Sequence, residues 1–144
     1  MEVDDLNKVL RGELSAVETY RQALDKNRQQ YANDAKFQQL TRMLRDHQET
    51  AEQLRECIRR LGGTPSTDSG AWGTWSQTVM GTAKLFGDKA ALKALKEGEE
   101  SGLKDYRDLL DNASVPPDVK NLASTAMSRK QQHVQEIDRL MNSV

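Results

Sequence analysis

The chain has 144 residues, enough for one domain that buries roughly 70% of the surface its unfolded form exposes. Its 36% apolar and 30% charged content, with three prolines and nine glycines, suits a helical protein and argues against a sheet, which needs more aromatic and β-branched residues. The net charge of -1 leaves no footprint for nucleic acid, the lone Cys57 forbids an intrachain disulfide, and no apolar run approaches the ~18 residues of a membrane span. The amino terminus, MEVDDLNKVL, is acidic and amphipathic rather than basic then apolar, so it does not read as a signal peptide. The expectation is a soluble, cytoplasmic protein that contacts neither nucleic acid nor membrane.

The first helix is expected from about Asp5 to Lys26, ended by the polar segment Asn27 to Asn33. Its core line, Leu6, Val9, Glu13, Val17, Tyr20 and Leu24, follows alternating spacings of three and four, and a glutamate stands where an apolar residue belongs. Asp34 is a good N-cap for a second helix that ends at Leu61 before Gly62-Gly63. That helix carries Phe37, Leu40, Leu44, His47, Ala51, Leu54, Ile58 and Leu61 on one face, interrupted by His47.

Thr64 to Gly87 is too long for a tight turn. Trp72, Trp75, Val79, Ala83 and Phe86 keep helical spacing there, which predicts a short helix packed on the rest. Asp88 caps a third helix to about Asp111, with Leu92, Leu95, Glu99, Leu103, Tyr106 and Leu110 on its core line. Asn112 to Pro116 make a turn, and Pro117 suits the first position of a fourth helix that continues almost to Val144. Val119, Ala123, Ala126, Lys130, His133, Ile137 and Leu140 form its inner face.

The two halves repeat. Gly12-Glu13, Tyr20-Arg21 and Leu24-Asp25 recur as Gly98-Glu99, Tyr106-Arg107 and Leu110-Asp111, and His47 and Leu54 as His133 and Leu140, always 86 positions on. The reading is one domain over 1–144: a hairpin at about 4–61, a crossover at about 62–87 and a second hairpin at about 88–143. A helix of 27 residues spans ~40 Å, and a connection of this length can run back along it. The second and third helices would then be parallel, as in a bundle with a single long crossover.

Each predicted helix thus carries a polar residue in its core line, and these include both histidines. Glu13 lies about 13 residues before the end of its helix and His47 about 13 after the start of the next, so they meet at one level, and the repeat levels Glu99 with His133. Two carboxylates converging in an apolar interior repel one another and need a positive partner. A divalent metal ion is one solution, since carboxylate and neutral imidazole are ordinary ligands of iron, manganese or zinc. Lys130, one turn from His133, is the other: it would neutralise Glu13 and Glu99 and leave no cofactor. Tyr20 and Tyr106 need hydroxyl partners in both cases.

The glycine-glutamate pair with a tyrosine seven residues on, the segment Leu61-Gly62-Gly63-Thr64-Pro65 and the run Glu97-Gly98-Glu99-Glu100 resemble the ferritin-like superfamily, in a bacterial branch of four-helix-bundle proteins of unknown function. The resemblance implies an all-α ferritin-like four-helix bundle. It also implies a metal site, because di-iron members take one glutamate each from helices one and three and Glu-x-x-His from helices two and four. Glu13 and Glu99 match the lone glutamates, His47 and His133 the histidines, and Tyr20 a tyrosine found near such sites. Leu44 and Lys130 stand where the two remaining glutamates belong, so the usual bridged pair of metals has lost its bridges. Four candidate ligands are left: Glu13, His47, Glu99 and His133. Asp46, Glu49 and Glu136 are expected on the flanks. Iron or manganese binding for storage, oxidation or protection against oxidants is one functional expectation. A metal-free bundle that forms a homodimer or docks on an unidentified protein partner is the other, with Trp72 and Trp75 as the surface to test. No phosphate-binding glycine loop, nucleophile elbow or CxxC pattern is present.

Overall fold

The computed structural model describes residues 3–69, 89–112 and 114–143, and these form four helices: α1 (Val3–Tyr31), α2 (Ala35–Arg60), α3 (Lys89–Leu110) and α4 (Pro117–Asn142). There is no strand among the described residues. The predicted crossover helix with Trp72, Trp75, Val79, Ala83 and Phe86, and the predicted cap Asp88, lie outside them.

The caps follow from the sequence. Asp34 keeps an extended backbone and its carboxylate accepts from the Lys36 amide at 2.8 Å, occupying an orphan donor of the first turn of α2. At the other end the Gly63 amide donates to Ile58 and the Gly62 amide to Arg59, a Schellman closure that needs the left-handed φ of +82° held by Gly62. Pro117 opens α4, where its missing N–H costs nothing.

Three expectations about these helices are corrected. Helix α1 does not stop at Lys26 but continues to Tyr31. Asn27 is buried and its amide donates to the Ala23 carbonyl at 2.7 Å, Arg28 pairs with Asp25, and Tyr31 packs on the core, so a segment that is polar by composition is held from within. On the core lines Ala16 is buried where Val17 was expected, and Met43 where Leu44 was, each neighbour being only half-buried. Leu61, expected inside, is the C-cap of α2 and is exposed.

Directions follow from the contacts. Tyr20 meets Glu99 while Tyr106 meets Glu13, so α1 and α3 are antiparallel; His133 meets Asp46 while Arg129 meets Glu49, so α2 and α4 are too. Both hairpins are antiparallel by their short turns. Helices α2 and α3 therefore run parallel, on a diagonal of the bundle, which a tight turn could not achieve.

The apolar core is divided in two. One cluster, with Leu24, Phe37, Leu40, Met43, Leu92 and Ile137, fills the end near the α1–α2 turn, and another, with Leu6, Leu10, Leu54, Ile58, Tyr106 and Val119, fills the opposite end. Between them lies a layer of buried polar side chains contributed by all four helices.

Candidate metal centre

Glu13, His47, Glu99, Lys130 and His133 are each no more than 4% exposed, and they converge on one point. The bundle brings together all four candidate ligands, with Lys130 and both tyrosines around them. Burying this much charge is costly unless every group is paired, and here the pairing is dense.

His47 is the hinge of the cluster. Its Nδ1 lies 2.6 Å from Glu13 Oε2 and its Nε2 lies 2.5 Å from Glu99 Oε1. With a carboxylate on each nitrogen, the ring donates from both sides as an imidazolium. Burial works against that charge, but Glu99 and Glu13 outweigh it and push the His47 pKa up to about 9. For Glu13 burial alone would raise the pKa, and the opposing Lys130 and His47 charges hold it down at about 2. The same contest leaves Glu99 well below the usual carboxylate range, chiefly through His47 and Lys130.

Lys130 meets the two glutamates at their other oxygens. Its Nζ is 3.2 Å from Glu13 Oε1 and 3.9 Å from Glu99 Oε2. The tyrosines cross the bundle: Tyr20 donates to Glu99 at 3.0 Å and Tyr106 to Glu13 at 2.7 Å, contacts that the repeat relates to each other. Burial and the glutamate charges raise both phenols well above their ordinary pKa, so they remain donors.

His133 completes the set. Its Nδ1 stands 3.3 Å from Glu99 Oε2 and its Nε2 2.9 Å from Asp46 Oδ2. Asp46 was expected on a flank, and its side chain is indeed 40% exposed, yet it reaches inward to the ring. Sequence reasoning missed this partner because the repeat places Gln132 at the equivalent position, so the pattern offered no counterpart. Glu49 does stay on the flank, paired with Arg129 at 3.2 Å.

The donor set has the chemistry of a cation site. Ligand atoms from His47, Glu99 and His133 all lie within 4.8 Å of one another in a buried setting, two imidazoles and one carboxylate. This fits one ion. It leaves no room for a second ion, since the Lys130 ammonium stands against both glutamates.

Fold and site together define an all-α four-helix bundle with a carboxylate, histidine and lysine cluster at mid-height. The chain belongs to the family described as Domain of unknown function (DUF2383), whose sequence profile matches residues 1–112, from α1 through α3. No curated protein and no solved structure matches the chain. Among the described residues, no helix is long and apolar enough to cross a membrane.

Proposed function

We propose that this bundle binds one divalent transition-metal ion, of the iron or manganese kind, through His47 Nε2, the Glu99 carboxylate and His133 Nδ1. The observation that carries the reading is the convergence of these three buried donors within 4.8 Å. Support comes from the groups behind them. Glu13 lies on the far nitrogen of His47 and Asp46 on the far nitrogen of His133, the carboxylate contacts that fix ring orientation in metal sites. In this proposal Glu13, a candidate ligand by sequence, orients His47 instead of binding the ion, and Tyr20 steadies Glu99. The parallel α2 and α3 with antiparallel neighbours favour a ferritin-like topology, in which such inward-facing sites occur. A bound iron or manganese ion would supply redox chemistry suited to storage or to protection against oxidants.

A second reading rests on a specific observation: Lys130 and the His47 imidazolium already balance Glu13 and Glu99, which is a complete metal-free arrangement. Metal binding must displace the His47 proton, so the two readings separate experimentally. Titrating cobalt(II) into the chelator-treated protein should produce visible ligand-field bands that saturate at about one ion per chain, and His133→Ala should abolish them. Absence of those bands in the parent, with an unchanged thermal midpoint at millimolar cobalt, would leave the metal-free reading.

A further inference from the structure

We propose that the Lys130 ammonium is a built-in occupant of a second cation position, which limits the cluster to one divalent ion where its duplicated glutamates and histidines would otherwise take two. The count of one rests on the metal reading above; the assignment of Lys130 to a cation position does not.

The geometry is two-sided. Each glutamate turns one oxygen to His47, Glu13 through Oε2 and Glu99 through Oε1, and the other oxygen to Lys130, Glu13 through Oε1 and Glu99 through Oε2. Two positions for positive charge therefore lie between the same pair of carboxylates, one at Glu13 Oε2 and Glu99 Oε1 and one at Glu13 Oε1 and Glu99 Oε2. His47 holds the first of these, and Lys130 fills the second. The oxygens that Lys130 faces are shared: Tyr106 donates to Glu13 Oε1, and His133 Nδ1 lies 3.3 Å from Glu99 Oε2.

The repeat marks the lysine as a departure from a plan that is symmetric in its glutamates, histidines and tyrosines. Glu13 and Glu99, His47 and His133, and Tyr20 and Tyr106 are pairs at the constant offset of 86, but Lys130 answers to Leu44. The space for it is made by a second departure. A Cβ on Gly102 would lie 2.8 Å from both Cε and Nζ of Lys130, and the residue equivalent to Gly102 in the first half is Ala16. Ala16 belongs to the apolar cluster on which Leu44 packs. One half of the molecule thus pairs glycine with a buried lysine, and the other pairs alanine with leucine. An ammonium of fixed charge, tethered in place and meeting two carboxylates, does the electrostatic work of a bound ion without exchanging with solvent.

The test counts ions and measures stability separately. Native mass spectrometry with manganese(II) should find one ion on the parent and two on Lys130→Ala, which removes the charge and opens the space. In chelator Lys130→Ala should melt well below the parent, and manganese should restore most of the loss. Should Lys130→Ala fail to fold, Gly102→Ala displaces the ammonium while keeping the charge in the chain, and it too should melt lower and gain an ion. No ion on the parent but one on Lys130→Ala would overturn the proposed function and keep this inference. Two ions on the parent, or an unchanged count and chelator midpoint in the variants, would overturn the inference while leaving single-ion binding intact.

Discussion

Glu99→Ala is expected to lower the thermal midpoint by roughly 10 °C or more and to abolish ion binding. Glu99 accepts from His47 and Tyr20, stands beside His133 Nδ1 and lies within ion-pair range of Lys130, so a single truncation strips a partner from four buried groups. Breaking a buried charge pair by removing one member costs about 3–5 kcal/mol, because the survivor stays desolvated, and each kcal/mol shifts the midpoint of a domain near this size by about 2–4 °C. Tyr106→Phe makes the contrast. It removes one donor from Glu13 but leaves His47 and Lys130 on it, a loss of about 1 kcal/mol. Equal losses in the two variants, read by thermal unfolding, would mean that Glu99 is not the centre of the network.

In chelator the protein should be most stable between about pH 5 and 6.5, and it should weaken on both sides. The Glu13 pKa is lowered from 4.5 to about 2 on folding, so its contribution is fully present above 4.5 and disappears as the pH falls toward 2. The His47 pKa is raised from 6.5 to about 9, so its contribution is fully present below 6.5 and is lost as the pH rises through 9. Glu13 and Tyr20 on α1, Asp46 on α2, Glu99 and Tyr106 on α3, and Lys130 and His133 on α4 all face this ring or its partners, and Lys130 opposes its charge. At about 1.4 kcal/mol per pKa unit, the alkaline limb is worth roughly 3 kcal/mol. Urea unfolding of the parent and of His47→Gln at a series of pH values checks this. The variant should lose the slope between 6.5 and 9, and a parent that shows none has no imidazolium at position 47.

Much of this was legible in the sequence, for physical reasons. Four helices could be read because apolar residues keep helical spacing for twenty residues or more, and Asp34, Gly62 and Pro117 stand where helix ends need them. The convergence of Glu13, His47, Glu99 and His133 was accessible because a polar residue in a core line marks a level, and the repeat gives two independent levels. The end of α1 was misread, since Asn27 is helix-breaking by composition but finds a backbone acceptor within its own turn. Asp46 was missed because a long helix lets a flanking carboxylate bend inward toward a ring on its neighbour, which periodicity cannot signal. The role of Gly102 is not legible in the sequence. An isolated helical glycine means close packing, and that the close neighbour is a lysine follows only from the fold.

The most direct measurement is the metal content of protein purified without chelator and then passed through a desalting column, determined by elemental analysis beside His47→Ala and His133→Ala. About one iron or manganese per chain in the parent, and almost none in either variant, is the predicted result. A parent free of transition metal, whose thermal midpoint stays the same in chelator and in excess ferrous or manganous ion, would contradict the metal centre and leave Lys130 and the His47 imidazolium as the permanent partners of the two buried glutamates.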